Sequence, residues 1–182
     1  ITRQSTQVKH LDLNAYNSGI KNDLIRRDFT INALALPCQS FRLNKAPCIN
    51  YDDIVDISNS FKDFSSKLIR AVSDNVFRED PIRLLRCVRL AAEIDFNIDD
   101  DLLCLMKEES KLIKQAKGER IREELLKALE LPESSKVFER LASLGILFEI
   151  IPILHSCKET KQPKEHQWNV FVHSVKCADA ID

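Results

Sequence analysis

Glycine is scarce in this 182-residue chain, occurring only at Gly19, Gly118 and Gly145. Neither GxxxxGK[ST] nor GxGxxG can be written anywhere, so the P-loop and the dinucleotide-binding Rossmann fold are excluded. Long apolar runs are lacking too. No eighteen consecutive apolar residues occur, and the opening stretch ITRQSTQVKH is polar, so neither a membrane span nor a signal peptide is expected. Nor is there an excess of either charge: 27 Lys and Arg stand against 28 Asp and Glu, a net charge of −1. Such a balance excludes a disordered polyelectrolyte and a uniformly basic nucleic-acid coat, so any nucleic-acid contact must be a local patch. The six cysteines form no CxxC pair, which points to a reduced, cytoplasmic protein rather than a disulfide scaffold. The first residue is Ile rather than Met, and the chain is expected to be part of something longer.

What is present suits a folded chain: 44% of residues are hydrophobic and 30% charged. The length allows one domain or two small ones, burying roughly 70% of the extended-chain surface. FTINALAL (Phe29 to Leu36) alternates in a way that predicts a strand apolar on both faces, and CINYDDIVDI (Cys48 to Ile57) predicts a second. The two are expected to pair antiparallel across an irregular loop. From about Ser66 the pattern turns helical and is expected to stay so. One helix is predicted from Pro81 to about Asp95, with Asp80 before it and Ile82, Leu85, Val88 and Ala92 on its apolar face. Others are predicted from Asp99–Asp101 through Met106, from Glu119 to Glu130 with Ile121, Leu125 and Leu129 inward, from Ser134 to Leu144 before Gly145, and from about Trp168.

Three charged clusters are candidates for chemistry. Arg26-Arg27-Asp28 precedes the first apolar strand, where a carboxylate can accept from a ribose hydroxyl while arginine meets phosphate; a solvated strand-end ion pair is the plainer reading. Glu79-Asp80 leads into Arg83, Arg86 and Arg89 at helical steps of three. A carboxylate that accepts beside a guanidinium that donates complements the amino and ring-nitrogen edge of adenine or cytosine and mismatches guanine and uracil. Here the plainer reading makes Asp80 an N-cap and the arginines an ion-paired helix side. The third cluster, Gly118-Glu119-Arg120 with Arg122, Glu123 and Glu124, reads as a structural tie between helices that orients the arginine stripe. His166 and His173 lie seven apart but make no metal site, and no metal is expected in this chain.

Taken in order, IRRDFTINALAL, DISNSFKDFSSKLIRAV, REDPIRLLRCVRLAAEIDFNI and KGERIREELLKAL resemble four successive motifs of the class II tRNA nucleotidyltransferases (CCA-adding enzymes) and bacterial poly(A) polymerases, over roughly residues 1 to 150. The resemblance implies an α+β fold: a short antiparallel strand remnant of the nucleotidyltransferase palm (1–65), a helical neck carrying a base-reading helix (66–130), and the start of a helical body (131–182). By the same resemblance Arg27 and Asp28 engage the triphosphate and ribose, with Asp28 on the 2′-hydroxyl. Asp80 and Arg83 pair with the base of ATP or CTP, and Arg86 and Arg89 contact the nucleotide. Asp56 and Asp63 match acidic positions that couple head and neck, while Glu119 and Arg120 match a structural pair. The family's glycine in the Asp56–Asp63 motif is Ser60 here, a departure that bears on the flexibility of that hinge.

The implied activity is template-independent addition of AMP, or CMP and AMP, from ATP and CTP to the 3′ end of tRNA or another RNA. The family's metal-binding GS…DxD motif is not found in the residues before Arg26, so the chain alone is expected to be inactive, with Mg²⁺ bound by the parent enzyme outside it. EHQWNVFVHSV is similar to the start of an HD-type phosphohydrolase domain, in which His173 would be the first metal ligand. Two other readings remain open: a non-catalytic RNA- or nucleotide-binding relative, and a helical interaction domain whose arginines bind an acidic protein.

Overall fold

A computed structural model describes residues 19–36, 51–160, 169–177 and 179. Helix α1 (Ile20–Ile25) buries Asp23 and Leu24 and delivers the chain to Asp28. The continuous strand predicted from Phe29 to Leu36 does not form there. Asp28 Oδ1 accepts hydrogen bonds from the Phe29 N–H (2.9 Å) and from Asn32 Nδ2 (3.1 Å), while Thr30 Oγ1 donates to Asp63 Oδ2 (2.7 Å). Side chains that bond local backbone compete with a strand ladder, and here they fold Thr30–Asn32 into a 3₁₀ turn. Only Leu34–Ala35 remain as β1. The expected antiparallel partner is present as β2 (Val55–Asp56), with Leu34 opposite Asp56 and Ala35 opposite Val55. Residues 51–53 form a 3₁₀ turn rather than strand, and 48–50 lie outside the described residues.

From about Ser66 the pattern predicts helix throughout, but the structure interrupts it with two short strands. After helix α2 (Ser60–Ser65), strand β3 (Leu68–Ile69) pairs in parallel with β4 (Asn97–Ile98), and helices α3 (Val76–Glu79) and α4 (Arg83–Glu93) lie between them. The same short segment is paired on its other side, through an antiparallel bridge from Phe29 to Ala71 with hydrogen bonds from Thr30 N–H to the Arg70 carbonyl and from Val72 N–H to the Asp28 carbonyl. Two-residue strands carry too little alternation to show in a sequence.

Helix α4 starts at Arg83, two residues later than Pro81 predicts. The Asp80 backbone is extended and its carbonyl accepts from Arg83 N–H, but its carboxylate caps nothing. Ile82, Leu85 and Val88 are buried as expected, joined by Leu84 and Cys87, whereas Ala92 is exposed. Each such aliphatic side chain contributes about 1.5–3 kcal/mol on burial. Phe77 on α3 is fully buried, and truncating it to alanine is expected to cost about 3–5 kcal/mol.

Helix α5 (Asp100–Glu108) buries Leu102 and Met106, and a 3₁₀ stretch (Ser110–Gln115) follows it. In α6 (Gly118–Leu129) Ile121 and Leu125 of the predicted stripe pack against the core, but its third member does not. Leu129 is exposed, and Glu124 and Ala128 are buried. Helix α7 (Ser134–Ser143) ends before Gly145, whose φ of 79° is the left-handed conformation that stops a helix. Helices α8 (Ile146–Ile150) and α9 (Leu154–Glu159) follow, and α10 (Val170–Cys177) lies within the last predicted helix. Phe171 of α10 stacks near Phe148 of α8 with ring centroids 5.8 Å apart. Trp168 and His166 lie outside the described residues, and His173 is exposed, with its Nδ1 3.7 Å from Cys177 Sγ. Among the described residues no helix is long and apolar enough to cross a membrane.

Candidate nucleotide-binding cleft

The turn at Asp28 and the start of α4 face one another across a cleft of about 440 Å³, lined by Arg26, Arg27, Asp28, Asn32, Asp80, Arg83, Arg86 and Leu90. Four guanidinium groups and two carboxylates line it, a local surplus of two positive charges in a nearly neutral chain. Such a surplus suits a polyphosphate.

Arg27, Asp28, Asp80, Arg83 and Arg86 are each held by a neighbour. Arg27 on the head side donates from Nε (3.2 Å) and Nη2 (2.8 Å) to Asp23 Oδ2, and its side chain stays half exposed. Asp28 is buried, takes its two local donors on Oδ1, and meets Arg86 Nε at 2.9 Å on Oδ2. Arg86 therefore joins α4 to the RRD block. Arg83 makes a second such joint: Nη2 donates to the Arg26 carbonyl (2.8 Å), and Nη1 donates to the Val76 carbonyl and to Glu79 Oε2 (both 3.2 Å). Asp80 lies opposite and receives both nitrogens of the Arg120 fork, at 2.9 and 2.8 Å. The Asp80 carboxylate also pushes the Arg120 guanidinium above its ordinary range, chiefly through these bonds.

Arg89 is placed elsewhere. Steps of three fall 60° short of a full turn, so the stripe rotates around α4 until Arg89 points away from the cleft. Its side chain is 10% exposed; Nε donates to Glu124 Oε2 at 2.6 Å and Nη1 to Glu93. Arg89 is a tie between α4 and α6. Glu119 is exposed at the head of α6, where Arg120 alone of that pair reaches the cleft's edge.

The two acidic residues of the preceding motif lie outside the cleft and brace its far side. Asp56 accepts from the backbone N–H groups of Ser58 (3.1 Å), Ser60 (3.0 Å) and Phe61 (3.2 Å). Burial raises its carboxyl pKa, but these bonds outweigh that, and it lies below the usual carboxylate range. Asp63, 1% exposed, joins Thr30 to Arg70, which reaches Asp99. Ser60 is buried in α2, and the positive φ of 57° falls on Asn59 beside it.

Three residues that hold the cleft in shape lie outside the clusters that spacing marked: Asp23, Asn32 and Arg70; Glu124 belongs to the third cluster, and its pairing with Arg89 is the helix tie expected there. Asp23 and Asn32 sit four residues from their partners, a signal visible at helical spacing. Arg70 meets its partners Asp63 and Asp99 at 7 and 29 residues' distance and leaves no local trace. Among the described residues no three metal-ligating side chains gather, and both carboxylates of the cleft already face guanidinium groups at under 3 Å. The residues of this cleft do not fit a Mg²⁺ site.

Residues 1–70 match the poly(A) polymerase head domain, and residues 95–158 match the model described as a probable RNA- and SrmB-binding site of polymerase A. The CC-adding tRNA nucleotidyltransferase of Geobacter sulfurreducens is 37% identical over 127 residues, which are 70% of this chain and 27% of that protein. The Thermotoga maritima CCA-adding enzyme complexed with tRNA superposes with a TM-score of 0.64 at 30% identity, over 81% of this chain and 33% of that one. A CCA-adding enzyme in complex with CTP gives a TM-score of 0.63 at 31% identity, over 73% and 30% respectively. The chain thus spans a third or less of the length of these relatives. With its head and RNA-binding regions in their shared order, it belongs to the family of class II tRNA nucleotidyltransferases and poly(A) polymerases.

Proposed function

We propose that this chain carries the nucleotide-binding cleft of a template-independent RNA nucleotidyltransferase that adds AMP, or CMP and AMP, to the 3′ ends of tRNA. The observation that carries the reading is the meeting of Asp28, Asp80, Arg83 and Arg86 in one cleft, from two blocks of sequence some fifty residues apart. In this reading Arg27 and Arg86 take the triphosphate and Asp28 the ribose. Asp80 accepts from the exocyclic amine of adenine or cytosine, and Arg83 donates to the adjacent ring nitrogen. Arg89 acts through α6 and not on the nucleotide. Binding and base selection belong to this chain. We assign metal-assisted transfer to residues outside this cleft, since both of its carboxylates, Asp28 and Asp80, are already engaged by guanidinium groups. The reaction belongs in the cytoplasm, where thiols such as exposed Cys104 and Cys177 stay reduced.

Titration of the chain with ATP, CTP, GTP and UTP tests this. ATP and CTP are expected to bind more tightly than GTP and UTP, and Asp80→Ala and Arg83→Ala each to abolish that preference. Equal binding of all four nucleotides would overturn the base-reading assignment. Incorporation of labelled ATP or CTP into tRNA by this polypeptide alone would overturn the assignment of transfer to residues outside it.

A further inference from the structure

Asn32 reaches the cleft because the predicted strand breaks. The 3₁₀ turn at Thr30–Asn32 carries its side chain back over Asp28, four residues earlier, and both line the cleft. The turn is clamped from behind by the Thr30 hydroxyl on the fully buried Asp63 carboxylate, at 2.7 Å. A carboxylate can only accept, so the atom of Asn32 that faces Asp28 Oδ1 at 3.1 Å must be the amide nitrogen. That fixes the amide's orientation. Its carbonyl Oδ1 is then an acceptor beside the Asp28 carboxylate, and it makes no hydrogen bond among the described residues.

Two neighbouring acceptors match a vicinal diol, whose two hydroxyls present neighbouring donors. We infer that Asn32 is a sugar-specificity residue: its Oδ1 accepts from the ribose 3′-hydroxyl while its Nδ2 holds Asp28 toward the 2′-hydroxyl. This rests on the nucleotide-binding reading above and extends it to a residue outside the charged clusters. The geometry is set before the nucleotide arrives, since Phe29 N–H, Asn32 and Arg86 hold Asp28 from three sides. Little ordering is left to oppose binding.

The test is titration of the full chain with ATP and with 3′-deoxyadenosine triphosphate, for the unsubstituted protein, Asn32→Ala and Asn32→Leu. The unsubstituted chain is expected to prefer ATP about tenfold, the effect of one well-placed hydrogen bond. Both variants are expected to lose that preference while their affinity for the 3′-deoxy nucleotide changes by less than about threefold, within the effect of one weak hydrogen bond. That retained affinity shows that the cleft is still formed. Retention of the preference in both variants, or an equal fall in affinity for both nucleotides, overturns the inference and leaves the cleft reading intact. Failure of the unsubstituted chain to bind ATP overturns the cleft reading and this inference with it.

Discussion

Asp80 and Arg120 meet fork to fork across 40 residues of sequence, each guanidinium nitrogen on its own carboxylate oxygen. A bidentate pair fixes the plane of the carboxylate as well as its position. The side chains are 28% and 48% exposed, so the pair adds only about 0.5 kcal/mol to stability. Arg120→Ala is expected to leave the urea midpoint almost unmoved and to shrink the preference for ATP over GTP by about three- to tenfold, as one aligned hydrogen bond is lost. Arg120→Lys keeps the charge without the fork and falls between the two. Nucleotide titrations run beside urea unfolding check both expectations.

Arg89 and Glu124 invert that balance. Each side chain is 10% exposed, so removing either partner leaves a charge buried and poorly paired. Glu124→Ala is expected to destabilise the fold by about 3 kcal/mol, and joint replacement by Arg89→Met and Glu124→Leu to recover most of the loss. The choice among nucleotides is expected to survive in the double variant. Chemical denaturation of the three proteins gives the answer.

Asp56 contributes a pH dependence. Its folded carboxyl pKa lies below its unfolded value, so its contribution is fully present above the ordinary carboxylate pKa of about 4 and disappears as pH falls through the lowered value. The stability difference between the unsubstituted chain and Asp56→Ala is therefore expected to be largest near neutrality and to vanish under strong acid. Urea midpoints for the two proteins across that range measure it.

Cys87 is fully buried on α4, and burial, with Asp28 as a smaller contributor, pushes its thiol well up. Exposed Cys104 and Cys177 are expected to react with iodoacetamide in the native protein while Cys87 stays unmodified until urea unfolds it. Mass spectrometry of peptides alkylated before and after unfolding separates the sites.

What was legible in the sequence follows from the range of the interactions. Helices α4, α6 and α7 are written in repeats of three and four, and Ile82, Leu85 and Val88 pack as that spacing requires. Phe29 to Leu36 alternates as well as any strand, yet the Thr30 hydroxyl finds a carboxylate 33 residues away and the chain turns instead. The first two charged blocks supply residues that the structure brings to one cleft, and the family resemblance ranked residues within them. Neither could show that the third arginine of the stripe rotates toward α6, because Glu124, read as part of a tie between helices, carries no sign in the sequence of which arginine it receives.

Lys67 to Val72 is held on both edges, by Asp28–Thr30 on one side and Asn97–Asp99 on the other. Head and neck are consequently not interchangeable parts. A chimera that takes one half from a relative must carry these six residues together with both of their neighbours, or the register between the Asp28 turn and the strand that follows α4 is lost. Swaps with crossovers outside this seam are expected to preserve the three-stranded pairing, and crossovers within it to break it.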